Sequence, residues 1–216
     1  MKVIIITGGQ IDDSFACDWI KTHPYDYMIA ADSGMNFLHR NGIVPNVIAG
    51  DFDSVSSESL EAFSKMKNVE MLRLNPIKDD TDTEFVIREA IRRGAKEITI
   101  LGATGTRLDH VLGNMHLLGI GIKEQVSIFL VDTHNRIRMI EKEHTILKEE
   151  QFGDFVSLLP ICGDAKGVTL QGMKYPLLNA TITSFSSLGI SNEIVEEKAV
   201  ISIAEGVLLL IESRDK

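Results

Sequence analysis

The pattern of apolar residues changes near residue 133, and this change constrains the fold more than any other feature of the chain. Before it, short continuous apolar runs alternate with helical patterns, which is typical of buried parallel strands joined by crossover helices. After it, short strand-like runs follow one another with frequent turns, which is typical of a sandwich. We therefore expect an α/β domain with a doubly wound, mostly parallel sheet over residues 1–133, followed by an antiparallel β-sandwich domain over residues 134–216.

The two patterns predict individual elements. In the first domain the predicted strands are Lys2–Thr7, Tyr27–Ala31, Val47–Ala49, Val69–Leu74, Glu97–Leu101 and Val126–Val131. The predicted helices between them cover residues 13–21, 33–40, 56–66, 80–93 and 107–123. In the second domain the predicted strands are Ile137–Ile140, Thr145–Lys148, Phe155–Leu159, Val168–Leu170, Ala180–Thr183, Glu193–Val195, Ala199–Ile203 and Val207–Ile211.

The net charge of −9 argues against a nucleic-acid partner, because such proteins normally carry a basic surface. It does not exclude a nucleotide substrate, since Mg²⁺ can bridge acidic residues to phosphates. Cys17 and Cys162 form no recognisable framework, so we expect two buried, reduced cysteines and a cytoplasmic protein. The apolar run at residues 3–6 is too short for a membrane span, and we expect no membrane association.

Acidic and glycine-rich segments follow the predicted strands of the first domain. Because the carboxyl ends of parallel strands lie at one edge of a sheet, these segments are expected to meet where open α/β folds bind ligands. The segments are Ala30–Gly34 with Asp32, Gly50–Ser54 with Asp51 and Asp53, Lys78–Glu84 with Asp79, Asp80 and Asp82, and Gly102–His110.

Asp51 and Asp53 are two residues apart, so in an extended chain both carboxylates point to one side and Phe52 points into the core. Converging carboxylates repel each other and need a cation for stability. An all-oxygen ligand set beside phosphates favours Mg²⁺. The alternative for a single aspartate is an ordinary turn. Because the pair lies beside other acidic strand ends, we favour a metal site.

The Lys78–Glu84 segment precedes a predicted helix, so capping could explain its acidic residues. Three aspartates exceed what one cap needs, and Asp79 and Asp82 are spaced to share a helix face. We predict that Asp80 or Thr81 is the cap and that Asp82 helps to hold the metal.

The Gly102–Asp109 loop joins a strand to a helix and is a candidate phosphate site, although it lacks the ending of a Walker A motif. Gly102 and Gly105 permit close backbone approach. Arg107 could hold a phosphate or neutralise charge during transfer. Thr7-Gly8-Gly9 is a weaker candidate loop, and His110 fits a structural role equally well.

Six stretches together resemble the thiamine pyrophosphokinase family, in a form similar to its bacterial branch. They occur in the family's order and span both halves of the chain. Thr106 departs from the pattern, since many relatives have a second glycine there. The stretches are AADSG (30–34), PNVIAGDFDS (45–54), KDDTDTE (78–84), LGATGTRLDH (101–110), GMKYPL (172–177) and GISNE (189–193).

The resemblance implies an enzyme that requires Mg²⁺ and uses ATP as co-substrate, and a homodimer with thiamine bound where the subunits meet. The implied Mg²⁺ ligands are Asp51, Asp53 and Asp82. Catalysis would use these three with Arg107 and Asp109. The implied ATP contacts are Asp32, Gly102, Thr104, Gly105 and Arg107, and the implied thiamine contacts are Asp79, Tyr175, Ser191 and Asn192.

The implied reaction is attack of the thiamine hydroxyl on the β-phosphorus of ATP, giving thiamine diphosphate and AMP. Asp82 or Asp109 could accept the hydroxyl proton. Two alternatives remain open from the residues. Another Mg²⁺-dependent phosphotransferase or nucleotidyltransferase would give a different nucleotide product, and a non-catalytic thiamine or nucleotide sensor would bind without turnover.

Overall fold

The computed structural model describes residues 1–75, 80–105 and 107–215, and the chain forms two compact units, Met1–Thr133 and His134–Lys216. In the first unit, the strands are β1 (Lys2–Ile6), β2 (Tyr27–Ala31), β3 (Val47–Gly50), β4 (Glu70–Arg73), β5 (Glu97–Leu101) and β6 (Ser127–Val131). The helices are α1 (Asp13–Thr22), α2 (Gly34–Arg40), α3 (Ser57–Ser64), α4 (Asp82–Arg92), α5 (Leu108–Leu117) and α6 (Gly119–Glu124).

The strands of the first unit pair in parallel in the order β4-β3-β2-β1-β5-β6. The chain moves outward from β1 to β4 and then returns to the other side of β1, so the strand order reverses between β1 and β5. Because crossovers between parallel strands are right-handed, the reversal places α1–α3 and α4–α6 on opposite faces. This point of reversal is where such sheets bind ligands.

Local sequence explains why these elements form where they do. The residues of β3 are all buried, as are those of β1 and β2 after the first, whereas β4 is largely exposed at the sheet edge. Side-chain oxygens accept a hydrogen bond from the first turn of three helices and so satisfy backbone donors that the helix leaves free. These caps are Asp12 for α1, Ser56 for α3 and Thr81 for α4.

The second unit contains two antiparallel sheets, with strand orders β7-β13-β9 and β11-β10-β12-β8. Apolar side chains from both sheets form one core, as in a sandwich. They include Ile140, Val156, Leu158, Leu208 and Leu210 from the first sheet and Ile146, Val168, Leu170, Ala199 and Ile201 from the second. The strands are β7 (Asn135–Ile140), β8 (His144–Leu147), β9 (Phe155–Pro160), β10 (Ala165–Gln171), β11 (Leu177–Ile182), β12 (Lys198–Ser202) and β13 (Leu208–Ser213).

The predicted fold class is confirmed, and three local expectations are wrong. The single helix expected over residues 107–123 divides at Leu118, whose N–H bonds the carbonyl of Met115, three residues back. The strand expected at Glu193–Val195 is only an isolated bridge between Ile194 and Met173. Both cysteines are reduced, but Cys17 is only half-buried and Cys162 lies exposed in the turn between β9 and β10.

None of the helices in the described part of the chain has the length and apolar character that crossing a membrane requires.

Candidate active site

Two aspartates stand at the carboxyl ends of neighbouring strands, Asp32 after β2 and Asp51 after β3. The chain does not stay extended from Asp51 to Asp53, because Phe52 has a left-handed φ of 67°. The N–H of Asp53 instead donates to Oδ1 of Asp51 at 3.0 Å, which closes a tight turn. Phe52 is buried, as predicted, so the turn still points the two carboxylates away from the core.

The turn brings three carboxylates together. One oxygen each of Asp32, Asp51 and Asp53 lies within 4.8 Å of the other two. Three negative charges at this separation repel one another strongly unless a proton or a cation compensates them. The sequence prediction placed Asp51 and Asp53 in this cluster but assigned Asp32 to ATP.

The carboxyl group of Asp32 is the most perturbed of the three. Burial, a hydrogen bond with Asp82, and the charges of Asp82, Asp51 and Asp53 together raise the pKa of Asp32 to about 8. Its Oδ1 atom is buried without a hydrogen-bond partner. A buried carboxylate oxygen normally has such a partner, so this atom is suited to a cation as its ligand. The three oxygens therefore fit a hard divalent ion such as Mg²⁺.

The backbone beside Asp32 leaves room for its carboxylate. Gly50 ends β3, and a Cβ atom at this position would lie 2.5 Å from Oδ1 of Asp32. Asp32 itself has a left-handed φ of 46°, which is uncommon for a residue with a side chain. The absent side chain at Gly50 and this backbone turn together direct the Asp32 carboxylate towards the other two.

Asp82 reaches the cluster from α4, where it is the first helical residue. Thr81 is the helix cap, as predicted, and its Oγ1 accepts from the N–H of Glu84 at 3.2 Å. Asp82 is thus not needed as the cap, and its proximity to Asp32 helps to raise the pKa of Asp32. Asp79, predicted to bind thiamine, lies outside the described residues.

Two glycine-containing loops cross at the point where the strand order reverses. The N–H of Gly9 donates to the carbonyl of Gly102 at 2.8 Å, and that of Gln10 donates to Thr104 at 2.9 Å. A Cβ atom at Gly9 would overlap both carbonyl oxygens, so only glycine fits. The weaker candidate loop, Thr7–Gly9, therefore supports the stronger one, Gly102–Gly105.

Arg107 and Asp109 form an exposed ion pair where α5 begins. Nη2 of Arg107 donates to Oδ2 of Asp109 at 2.6 Å, and this contact holds the pKa of Asp109 below its usual range. Oδ1 of Asp109 also accepts from the N–H of His110. Among the described residues, the carboxylate cluster does not include Asp109. The pair thus fixes the guanidinium of Arg107 against Asp109 at the start of α5.

The thiamine-motif residues of the second unit differ in exposure. Tyr175 and Ser191 are exposed, and Ser191 has a left-handed φ of 53°. The N–H of Ser191 donates to Oγ of the buried Ser157 at 2.9 Å. Asn192 is buried, and its side chain is bonded to the backbone of Tyr175. Within this unit, the side chains of Tyr175 and Ser191 are accessible to a ligand, whereas that of Asn192 holds the backbone of Tyr175.

Sequence reasoning missed two supporting contacts. Nδ2 of Asn114, in α5, donates to the carbonyl of Ala103 at 2.7 Å and so ties the glycine loop to its helix. Ser157 supports Ser191 from β9, 34 residues earlier in the chain. Neither has a local signal, because both depend on tertiary contacts. The inclusion of Asp32 in the cluster could have been found, since it follows its strand as Asp51 follows the next.

Comparison with known proteins is consistent with this geometry. The family model described as "Thiamin pyrophosphokinase, catalytic domain" matches residues 21–130, and "Thiamin pyrophosphokinase, vitamin B1 binding domain" matches residues 143–208. Among curated proteins, the chain is 34% identical over 215 residues to thiamine pyrophosphokinase of Bacillus subtilis, covering 100% of both.

Solved structures agree with the sequence relatives. The crystal structure of the Bacillus subtilis thiamine pyrophosphokinase matches with a TM-score of 0.89 at 33% identity, covering 100% of both chains. That of the Geobacillus thermodenitrificans protein matches with a TM-score of 0.85 at 30% identity, covering 100% of this chain and 99% of that one. With matches along its whole length, this chain belongs to the thiamine pyrophosphokinase family, as its motifs predicted.

Proposed function

We propose that the chain transfers a diphosphate group from ATP to the hydroxyl of thiamine and releases AMP. The family of the chain supports this reaction. The observation that carries the chemistry is the cluster of Asp32, Asp51 and Asp53, in which a buried Asp32 oxygen has no hydrogen-bond partner. This cluster lies at the carboxyl ends of β2 and β3, on the edge of the sheet where open α/β folds bind ligands.

Asp51, Asp53 and Asp32 would hold Mg²⁺, and Asp82 would join them from α4. When bound there, Mg²⁺ would supply positive charge that offsets the negative charge of the phosphate oxygens. Asp32 therefore moves in this proposal from the ATP contacts to the metal ligands. The role of the carboxylates in this proposal would be to fix the position of the ion at this edge of the sheet.

The glycine loop and Arg107 would hold the phosphates of ATP. Gly102, Thr104 and Gly105 offer a backbone that ATP can approach closely, and the crossing of the two loops fixes that backbone in advance. Asp109 is already paired with Arg107, and a lowered pKa makes a carboxylate a weaker base. We therefore assign Asp109 to the orientation of Arg107, which leaves Asp82 as the candidate acceptor of the hydroxyl proton.

Tyr175 and Ser191 would contact thiamine, with Asp79 a further contact implied by the family. We also propose a homodimer in which thiamine lies at the subunit boundary. Large apolar side chains that are exposed on the second unit support it, because an interface would remove them from water. They include Leu178, Phe185 and Val195. The two free cysteines, one of them exposed, suit a reducing cytoplasm.

A product assay tests the proposed function. Purified protein would be incubated with thiamine, ATP and Mg²⁺, and the nucleotides and thiamine species separated by chromatography. AMP and thiamine diphosphate in equal amounts are expected. ADP with thiamine monophosphate would move the attack to the γ-phosphorus, free diphosphate would indicate nucleotidyl transfer, and binding without any product would indicate a sensor.

A further inference from the structure

One buried side chain connects the two loops that carry the motifs of the second unit. Asn192 is 4% exposed. Its Nδ2 donates to the carbonyl of Tyr175 at 2.8 Å, and its Oδ1 accepts from the N–H groups of Tyr175 at 3.0 Å and of Glu193 at 2.9 Å. The carboxamide thus pairs with Tyr175 as the backbone of an adjacent strand would. Both of its polar atoms are engaged with backbone groups.

Asn192 is itself anchored to the sandwich. Its N–H donates to the carbonyl of Val156 at 3.0 Å, and its carbonyl accepts from the N–H of Val156 at 2.8 Å. Val156 belongs to β9 and to the apolar core of the unit. Beside this contact, Lys174 and Glu193 share a backbone hydrogen bond and an ion pair of 2.6 Å. Hydrogen bonds therefore connect the backbone of Tyr175 to β9 through Asn192.

The ring of Tyr175 is the group that this arrangement presents. Tyr175 is 60% exposed, although its backbone is held by a buried partner. Nζ of Lys174 lies 5.7 Å from the ring centre, and the ion pair with Glu193 offsets its charge. An exposed ring on a fixed backbone suits a flat cationic heterocycle, which aromatic faces attract.

We propose that Asn192 is a positioning residue, which fixes the backbone of Tyr175 so that its ring receives the cationic ring of thiamine. Asn192 acts through Tyr175 and does not contact the ligand. This inference rests on the proposed function, and it replaces the direct contact that the family resemblance implied for Asn192.

A double-mutant cycle tests how Asn192 acts. Asn192→Ala leaves the N–H and carbonyl of Tyr175 without their partner, so we expect the thiamine KM to rise about 10-fold. The kcat and the KM for ATP should stay within about 2-fold, because neither depends on the ring. Tyr175→Ala should raise the thiamine KM similarly. The double variant should match Tyr175→Ala alone, since the two residues act as one unit.

Additive increases in the double variant would overturn the proposal, because they would mean that Asn192 contacts thiamine itself. Asn192→Asp is the conservative variant: it keeps the acceptor for both N–H groups and loses the donor to the Tyr175 carbonyl. An intermediate KM is expected, and a KM as high as that of Asn192→Ala would contradict the acceptor role. Thermal melting of each variant shows that the unit is folded.

Amide hydrogen exchange supplies a measurement that needs no turnover. Exchange at the Tyr175 N–H should accelerate at least about 10-fold in Asn192→Ala, because its buried acceptor is removed. Asp164→Ala is the matched control, since Oδ1 of Asp164 accepts from the N–H of Ser184 at 2.9 Å in a different loop. That control should leave Tyr175 exchange unchanged.

Unchanged exchange at Tyr175 in Asn192→Ala would overturn the positioning role. If the wild-type chain makes no thiamine diphosphate, the proposed function fails, whereas the exchange result still decides whether Asn192 holds Tyr175.

Discussion

The acidic cluster of the first unit and the motif loops of the second unit treat buried polar atoms in opposite ways. Asp32 keeps a buried oxygen without a partner, and two further carboxylates crowd against it. Asn192, by contrast, uses both polar atoms of its side chain in three hydrogen bonds. A buried polar atom without a hydrogen-bond partner is more stable when a ligand binds it. A buried polar group whose hydrogen bonds are all made holds the backbone around it in one conformation. The first region is therefore suited to receive an ion, and the second to present exposed side chains.

The largest expected effect follows from removing a carboxylate of the cluster. Asp51→Asn or Asp53→Asn should lower turnover on the order of 10²- to 10³-fold, because charge stabilisation at the phosphates is lost. The free energy of unfolding should stay constant or rise, since repulsion within the cluster is relieved. Product assays at varied Mg²⁺ and thermal melting measure the two effects. Asp18→Asn, on the exposed surface of α1, is the control. Near-normal turnover in either cluster variant would refute the metal site.

Removing a buried carboxylate from the second unit should have the opposite effects, a loss of stability and no change in the Mg²⁺ requirement. Glu212 is buried, pairs with Arg136 through two hydrogen bonds and accepts from the N–H of Phe152 at 3.0 Å. Glu212→Ala removes the carboxylate from Arg136 and from the N–H of Phe152, and it should cost about 3 kcal/mol of stability. Denaturant unfolding measures it, and the Mg²⁺ concentration that gives half-maximal turnover should be unchanged. If Glu212→Ala lowers the free energy of unfolding by less than about 1 kcal/mol, the two regions do not differ in how a buried carboxylate affects stability.

The crossing of the glycine loops should be sensitive to a single methyl group. Gly9→Ala places a Cβ against the carbonyls of Gly102 and Thr104, so we expect about 2 kcal/mol of destabilisation and a higher KM for ATP. Gly113→Ala is the matched control, because a Cβ there has no neighbour within 4 Å and lies in α5. It should stabilise the protein by up to about 1 kcal/mol. Equal effects of the two substitutions would show that the crossing is not tight.

The contrast also explains what the sequence could predict. Buried apolar runs located the parallel strands, and the geometry of a parallel sheet was sufficient to bring Asp51 and Asp53 to one edge. Asp32 was expected at the same edge but was assigned to ATP, and the left-handed backbone at Asp32 and Phe52 was not predicted. The hydrogen-bond partners of Asn192 are harder still to predict from sequence, because they depend on how distant loops pack.

The strand expected at Glu193–Val195 is a second case in which local sequence was insufficient. Ile194 is buried and Val195 is exposed, which is the alternation of a strand. Within Glu193–Val195, however, only Ile194 has a bridge partner, Met173. Two backbone hydrogen bonds form this bridge, from the N–H of Lys174 to the carbonyl of Glu193 and from the N–H of Val195 to the carbonyl of Gly172. Alternation reports burial of side chains, and it does not report whether the backbone has a strand beside it.

The smallest expected effect concerns pH and again separates the two regions. Burial, followed by the charge of Arg138, lowers the pKa of His144 in β8 to about 4, while Glu212 opposes the shift and Arg136 adds to it. Between about pH 6.5 and pH 4 the unfolded chain therefore binds a proton at this residue that the folded chain does not. The stability from a neutral His144 is present above pH 6.5 and is lost as the pH falls through this window.

Because His144 is only half-buried, we expect this loss to be on the order of 1 to 2 kcal/mol. The measurement is the free energy of unfolding at pH 7.5 and pH 5 for the wild type and for His144→Gln. The wild type should lose more stability over this interval, because the variant has no imidazole to protonate. His116→Gln, on the exposed side of α5, should follow the wild type. If His144→Gln shows the same decline as the wild type, His144 is not the source, and carboxylates elsewhere in the chain account for the acid sensitivity.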